Sequence, residues 1–306
     1  MTRTRSSLLT QNRFSRRRQP MQRLHPAKIR LHLERLEDRA LPSVNLLTNF
    51  ACMGPGDTSC GCVPPDTIAA AGPNHVVEMI NTAVRVYDKS GTVLSTQELS
   101  NLFGPLGGVL NMSDPQVHYD ELAGRWAIGV LDFDTTSNSR FDFAVSNDSD
   151  PTHGWILARY DMNDGIGSSF DFADYPRMGF NADAWVVSFN MYPNLSAGAD
   201  HSDLLVVNKS TFASSPATSG TRIVVPGGQA HFTMVPAIVH GAVAGGPMYF
   251  VDTTEGQGEI SGGGSVEAVQ MTNVLSATPT FTGQTLAVSS YSIPPAATQK
   301  GTSETI

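Results

Sequence analysis

The sequence predicts an all-β protein: a β-propeller of four-stranded blades, of which about four are visible. Three observations predict this class. The chain of 306 residues contains many short apolar runs separated by Gly, Asn, Asp or Pro, as in strands joined by turns. The runs recur in groups of four with a similar opening, and no helical periodicity separates them. With 40% hydrophobic and 16% charged residues, the composition fits a globular chain.

Four repeated units can be read after residue 62. The first two units contain the predicted strands DTIAAAG, HVVEMIN, AVRVYD and TVLSTQ, then DPQVHYD, RWAIGVLDF, FDFAVS and WILARY. The third and the looser fourth contain DYPRMGF, AWVVSFNMY, DLLVVN and TRIVV, then MVPAIVH, PMYFVDT, SVEAVQM and FTGQTLAV. A β-sandwich also uses short strands. However, Asp66, Asp114 and Asp174 each open a run that is followed 10 to 12 residues later by an apolar run, and a sandwich gives no reason for that repeat.

Charge divides the chain into parts. We predict a basic arm over residues 1–45, a propeller-like domain over 46–290, and a linker or the start of a further blade over 291–306. Residues 1–40 carry 11 Lys and Arg against 3 Asp and Glu, whereas residues 41–306 carry 9 against 25, a net charge of -16. Such an acidic body repels phosphate, so we expect no nucleic acid partner for the folded domain. No run of apolar residues is long enough for a transmembrane helix.

The arm is predicted to begin as a disordered leader and to end in a short amphipathic helix. Ile29, Leu33, Leu36 and Ala40 recur at helical spacing. The end of this predicted helix and the residues after it, LERLEDRALPS, resemble the LEDR-type N-terminal segment of many large exported or cell-surface proteins of planctomycete bacteria. That resemblance implies export. A plain surface helix, or a basic helix at a membrane surface, is the alternative interpretation.

Three cysteines precede the first strand. Cys52, Cys60 and Cys62 lie within eleven residues, and in an exported chain this favours one disulfide, from Cys52 to either Cys60 or Cys62. A zinc site is the competing interpretation. It would need a fourth ligand, for which the nearest histidine is His75.

The repeats also resemble a known group of proteins. PPDTIAAAGPNHVVEMINTAVRVYDKSG, SDPQVHYDELAGRWAI and DYPRMGF are similar to motifs of secreted bacterial proteins with propeller-like repeats, which are mostly uncharacterised and often fused to adhesive or surface-anchoring modules. The resemblance implies a propeller fold and export. Because such proteins continue into further blades, the ending YSIPPAATQKGTSETI is expected to reflect C-terminal truncation, with missing blades needed to complete the ring.

The opening aspartates are the first candidates for chemistry. First strands line the axis of a propeller, so Asp66, Asp114 and Asp174 should gather near one mouth of the channel. Three carboxylates there could act as the acid and base of a glycoside hydrolase, could hold Ca²⁺, or could simply occupy turns at the starts of strands. The five-bladed arabinanase-like hydrolases place three acids in this way, which is an analogy of fold only.

Weaker candidates complete the set. Asp132 and Asp134 alternate on one strand face and could join a calcium site. His75 and His118 are candidate ligand-binding residues, although scattered histidines more often lie in turns or on strand surfaces. Trp155, in a predicted loop, is the tryptophan best placed to stack on a sugar.

Together these features predict a secreted or cell-surface β-propeller module that acts in binding or as a scaffold. Its partner would be a cell-surface glycan or a protein, and calcium is the one cofactor that the residues suggest. The alternative is a glycan-active enzyme that uses the axial carboxylates. The two functions differ in whether the protein releases sugar from a polysaccharide.

Overall fold

The structure is a computed structural model, and it describes residues 48–54, 56–58, 61–62, 64–163, 171–193, 198–199, 201–227, 231–253 and 263–292. The chain divides into two compact units, Met1–Asn45 and Leu46–Ile306. The first unit, with the predicted amphipathic helix, lies outside the described residues, as do the residues after 292. No helix in the described ranges is long and apolar enough to cross a membrane.

The second unit confirms the four predicted blades, with one strand, the first of the fourth blade, shorter than predicted. The first blade contains β1 (Ile68–Ala71), β2 (His75–Ile80), β3 (Ala83–Asp88) and β4 (Val93–Glu98), and the second contains β5 (Asn111–Asp120), β6 (Arg125–Phe133), β7 (Ser139–Ser146) and β8 (Trp155–Asp161). The third contains β9 (Phe172–Phe180), β10 (Ala184–Tyr192), β11 (His201–Asn208) and β12 (Gly220–Val224), and the fourth contains β13 (Val235–Pro236), β14 (Met248–Thr253), β15 (Ser265–Thr272) and β16 (Thr280–Ala287). Short helices α1 (Leu99–Phe103) and α2 (Lys209–Phe212) follow β4 and β11.

Each blade is an antiparallel meander, since its four strands pair in chain order. The first strands of neighbouring blades lie side by side, β1 against β5, β5 against β9 and β9 against β13. Side chains that alternate along the strands fill the spaces between blades with three apolar clusters. The aromatic residues concentrate between blades two and three, where Phe143 packs against Trp185 and Phe212.

The first strand of the fourth blade is shorter than the sequence predicts. Only Val235 and Pro236 pair with β14. The Ala237 N–H still donates to Tyr249 O of β14 at 2.8 Å, but its carbonyl turns to the third blade. There the Phe180 backbone N–H donates to Ala237 O at 3.2 Å, and the Val239 N–H donates to Phe180 O at 2.9 Å. Gly179 permits this approach, since a Cβ atom at that position would lie 2.4 Å from Ala237 O. The fourth blade is thus joined to the third by backbone hydrogen bonds.

Candidate functional site

The same unusual backbone conformation recurs near the start of the first strand of every blade. Asp66, Asp114, Tyr175 and Thr233 have φ values of 48°, 55°, 53° and 58°. Among the described residues other than glycine, only Asn273 also has a positive φ. Strand pairing shows that the four positions are equivalent. In each blade, the residue two positions further along the chain pairs with the corresponding residue of the second strand. A left-handed bulge is therefore the structural repeat of this propeller.

This repeat corrects the predicted alignment of the third blade. The equivalent of Asp114 is Tyr175, and not Asp174, whose own counterpart is Ser113. In both blades the left-handed residue precedes a proline, so Asp114-Pro115 matches Tyr175-Pro176. The pairing register shifts at both places, which is the mark of a β-bulge. A left-handed conformation is uncommon for an aromatic residue, and backbone strain of this kind concentrates at functional sites.

The structure brings the three opening aspartates together. Asp66, Asp114 and Asp174 line one cavity of about 630 Å³ at the starts of β1, β5 and β9. Pro64, Thr67, Ile68, Pro115, Gln116, Tyr175, Pro176 and Arg177 complete its lining. We call this space the axial cavity. With three carboxylates and one guanidinium, it is suited to a ligand that donates hydrogen bonds.

Hydrogen bonds, one of them between blades, fix Asp66 and Asp114. The Asn81 side chain donates to Asp66 Oδ2 at 2.7 Å and accepts from the Asp114 backbone N–H at 3.0 Å. Ser113 Oγ donates to Asp114 Oδ1 at 2.7 Å. An equivalent hydrogen bond joins blades three and four, where the Asn190 side chain accepts from the Thr233 backbone N–H at 2.7 Å. An asparagine that reaches the next blade's left-handed residue therefore holds the cavity wall in place.

Burial makes two of the carboxylates hard to ionise. It raises the pKa of Asp114, and the negative charge of Asp66 raises it further, while Ser113 and Arg177 oppose the rise. Burial likewise raises the pKa of Asp174, and Asp114 adds to it. Carboxyl groups of this kind can hold a proton at a pH where ordinary aspartates have lost it.

These raised pKa values predict that Asp174→Asn differs in stability from the wild type by an amount that depends on pH. Since the folded state raises the pKa of Asp174 above its unfolded value, the ionised carboxylate destabilises the fold above that raised pKa, and the cost disappears as the pH falls toward the unfolded value. Asp174→Asn should therefore increase the free energy of unfolding at neutral pH, on the order of 1 kcal/mol. Urea unfolding near pH 7 and near pH 4 measures this, with Asp161→Asn on β8 as control. An equal effect at both pH values would contradict the prediction.

Tyr175 supplies the aromatic surface of the site. Tyr175 is 44% exposed, and the Arg177 guanidinium lies 3.9 Å from the centroid of its ring. This cation–π contact fixes the ring at the rim of the axial cavity. Sequence reasoning did not identify Tyr175 or Arg177. The proline that follows Tyr175 was the available signal, because it aligns with the proline after Asp114.

A calcium ion has no prearranged set of side-chain ligands here. In the part of the chain that the structure describes, no group of three or more His, Cys, Asp or Glu side chains is arranged to hold a metal ion. Calcium held by Asp66, Asp114 and Asp174 together with backbone oxygens and water stays a prediction. A fall in melting temperature on chelation would support it.

The structure separates Asp132 from Asp134, so the expectation that they join one cation site is wrong. Asp132 is fully buried, pairs with Arg159 at 2.9 Å and accepts from the Leu110 N–H at 2.7 Å. Asp134 is in the turn between β6 and β7 and accepts backbone N–H bonds from Thr136, Ser137 and Asn138. These bonds hold the pKa of Asp134 well below its usual range. Both carboxylates have structural partners.

The remaining candidates do not line the axial cavity. His75, at the start of β2, lies 3.7 Å from Asp150 of the second blade. His118 lies within β5 edge-on to Phe180, and burial lowers its pKa. Trp155 packs against the apolar cluster between blades one and two, so it is not the exposed sugar platform that its predicted loop position suggested. Core packing accounts for its position.

The cysteines differ from the predicted pairing. Cys52 is free and exposed, and Cys62 is disulfide-bonded; Cys60 lies outside the described residues. Burial and the neighbouring Glu78 carboxylate raise the pKa of the Cys52 thiol. The predicted disulfide through Cys52 is therefore not formed.

Comparisons with known proteins concern the fold alone. No family model and no curated protein matches the chain. Among solved structures it is similar to Synechocystis apocarotenoid oxygenase (10% identity, TM-score 0.39, 70% of this chain and 48% of that one). It is also similar to the WD40 domain of SCAP from fission yeast (8% identity, TM-score 0.33, 75% of this chain and 42% of that one). A third similar structure is the subtype N11 neuraminidase-like protein of A/flat-faced bat/Peru/033/2010 (11% identity, TM-score 0.37, 72% of this chain and 59% of that one). The chain spans about half the length of these structures.

Proposed function

We propose that this protein is a β-propeller binding module whose ligand, a glycan, enters the axial cavity. The observation that carries the proposal is the convergence of Asp66, Asp114 and Asp174 with the exposed ring of Tyr175 around one space. Carboxylates accept hydrogen bonds from sugar hydroxyls, and an exposed aromatic ring offers an apolar surface for the C–H face of a sugar. The left-handed bulge places Tyr175 at the rim of this cavity, next to Asp174 and Arg177.

The experiment measures glycan binding by variants that preserve the backbone. Asparagine tolerates positive φ, so Asp114→Asn and Tyr175→Asn remove one charge or one ring without adding strain. A panel of soluble neutral oligosaccharides is screened first, and the tightest binder is titrated calorimetrically. We expect Asp114→Asn to weaken binding by about tenfold or more, as for a lost hydrogen bond to a charged group. Tyr175→Asn should weaken it to a similar extent, because it removes the apolar surface that the sugar contacts. Asp161→Asn, an exposed position on β8, should bind as the wild type does.

Two results would overturn the binding proposal. One is that no oligosaccharide binds to the wild-type protein. The other is that Asp114→Asn and Tyr175→Asn bind as tightly as Asp161→Asn, which would place the glycan elsewhere on the propeller.

A glycan-active enzyme is the second candidate, favoured by the raised pKa values of Asp114 and Asp174. A hydrolase needs one carboxyl group that still holds its proton and one that is ionised. In that case the wild-type protein releases reducing sugar from a polysaccharide, and Asp114→Asn abolishes the release while it retains binding. Binding without any release by the wild-type protein would favour the binding module.

We further propose that the module acts outside the cytoplasm. The disulfide bond of Cys62 supports this, because structural disulfides persist in oxidising compartments. Fractionation of the native cells, followed by detection with an antibody against the chain, is the test. We expect the protein in the cell-surface or secreted fraction, and recovery from the cytoplasm alone would contradict the proposal.

A further inference from the structure

The fully buried carboxylates of this protein show how its fold compensates negative charge. Most of those in the described ranges contact a basic side chain, and these pairs are Asp120 with Lys209, Asp132 and Asp142 with Arg159, Asp203 with Arg222, and Asp252 with His231. A neighbouring cation offsets the free energy that is lost when a carboxylate leaves water. Pairing with a base is therefore the rule for buried carboxylates of the blades.

The three carboxylates of the axial cavity depart from this rule. Asp66, Asp114 and Asp174 are half-buried, yet none of them forms an ion pair with another described residue. Neutral groups hold them instead. The Asn81 amide donates to Asp66, and the Tyr175 backbone N–H donates to both Asp114 and Asp174. These hydrogen bonds orient the carboxylates but leave their negative charge without a counterion.

Arg177 compensates this charge only in part. Its guanidinium lies on the Tyr175 ring, and its positive charge opposes the rise in the pKa of Asp114, which is nevertheless raised. Three ionised carboxylates against one guanidinium give the lining a net charge of -2. A positively charged group that enters the cavity would lower this repulsion and favour the ionised carboxylates. The lining is therefore complementary to a cation.

The size of the cavity and its aromatic rim favour an organic cation over a bare ion. A volume of about 630 Å³ is typical of sites for small organic ligands, which take up roughly 300 to 1,000 Å³. Tyr175 is exposed at the rim, where its ring offers an apolar surface. An amino sugar presents both complementary groups, since its C–H face suits the ring and its ammonium suits the carboxylates. A neutral sugar lacks the second group.

We propose that the glycan bound in the axial cavity carries a free amino group, as a polymer of glucosamine does, and that its ammonium lies among Asp66, Asp114 and Asp174. This inference rests on the proposed glycan-binding function and names the class of glycan. An ammonium has three N–H donors and no acceptor, so it can donate to all three carboxylates. It supplies the counterion that the blades provide for the other buried carboxylates through lysine, arginine or histidine.

The test compares two ligands that differ only in the charge of their nitrogen atoms. A tetrasaccharide of glucosamine and the same tetrasaccharide with every amino group acetylated are titrated calorimetrically into the full chain. At about pH 6.5 an amine of this kind is largely protonated and ordinary carboxylates are ionised. We expect the acetylated ligand to bind about tenfold more weakly or worse, as for the loss of a hydrogen bond to a charged group.

Two variants of equal net charge separate the cavity from the acidic surface as a whole. Asp174→Asn removes a carboxylate of the cavity, whereas Asp161→Asn removes an exposed carboxylate of β8. Asp174→Asn should weaken binding of the glucosamine tetrasaccharide by about tenfold and change binding of the acetylated ligand much less. Asp161→Asn should bind both ligands as the wild type does. Equal losses in the two variants would overturn the inference, because the cation would then be attracted by the overall charge of the protein.

The remaining outcomes separate this inference from the function on which it rests. Equal affinity of the wild-type protein for the two tetrasaccharides would overturn the inference and leave the glycan-binding function in place. Binding of other neutral oligosaccharides, but of neither tetrasaccharide, would do the same. If no oligosaccharide bound, charged or neutral, the glycan-binding function would fail together with the inference.

Discussion

Replacing Lys209 with methionine is expected to lower the free energy of unfolding by about 3 to 5 kcal/mol. The Lys209 ammonium contacts the carboxylate of Asp120, donates to Asn181 O at 2.5 Å and lies over the Phe180 ring. It thereby joins α2 of the third blade to the end of β5 in the second. Asp120 is fully buried, so removal of the lysine leaves its charge without a counterion and with only the backbone N–H groups of Leu122 and Ala123 as donors.

Urea unfolding measures this loss of stability, and two further variants serve as controls. Lys89→Met removes an exposed lysine from the turn after β3 and should change stability by less than about 0.5 kcal/mol. The double variant Asp120→Asn with Lys209→Met should recover part of the loss, because no unpaired charge is then buried. If Lys209→Met were as mild as Lys89→Met, the buried pair would not be what joins these blades.

Strands and their grouping could be predicted from the sequence because both are local. A run such as RWAIGVLDF alternates or stays apolar over the length of one strand, and the turn residues on either side of it mark its ends. β6 indeed begins at Arg125 and ends at Phe133. The grouping of such runs in fours then favours a propeller over a sandwich. Only β13 is much shorter than predicted, because its continuation pairs with the neighbouring blade.

The geometry of the axial cavity could be predicted only in part. The recurrence of aspartate identified Asp66 and Asp114 correctly as equivalent positions, but the shared property is a left-handed backbone and not a carboxylate. Tyr175 has that conformation although its residue type disfavours it, so no propensity rule would select it. Asp174 lines the cavity from the adjacent position. The site thus depends on left-handed backbone conformations, which the residue types at these positions do not predict.

The ion pairs of buried charged residues could not be predicted from the sequence either. The sequence shows Asp132 in an alternating strand, where an acidic residue normally faces solvent. Its principal partner, Arg159, belongs to a strand 27 residues further along the chain, and only the folded blade brings the two together. A local pattern therefore suggests a free carboxylate where the structure has an ion pair.

That ion pair leads to an expected loss of about 3 to 5 kcal/mol on replacing Arg159 with methionine. Arg159 binds Asp142 through two nitrogens, at 2.7 and 2.8 Å, and its Nη2 also contacts Asp132 at 2.9 Å. Both carboxylates are fully buried. Arg159 Nη1 donates further to Gly107 O and Gly108 O, which fixes the segment before β5. Without the guanidinium, two buried carboxylates share only the more distant Arg140, 3.6 Å from Asp132.

The loss should depend on pH with a definite sign. Burial already raises the pKa of Asp142, and Arg159 opposes that rise. In Arg159→Met the folded-state pKa rises further above the unfolded value, so the folded variant takes up protons more readily than the unfolded chain as the pH falls. The stability difference from wild type should therefore be largest near pH 7 and shrink toward about pH 5, where protonation removes the unpaired charge.

Unfolding free energies measured at several pH values test this expectation. Arg125→Met is the matched control, since Arg125 donates to the Ser146 carbonyl at 3.2 Å, and its loss should stay below about 1.5 kcal/mol. Arg159→Lys keeps the charge but cannot form the two-nitrogen contact, so it should lie between wild type and Arg159→Met; it also serves if the methionine variant does not fold. A loss independent of pH would mean that Arg159 acts through its packing and its carbonyl contacts, and that Asp132 and Asp142 are neutralised by other means.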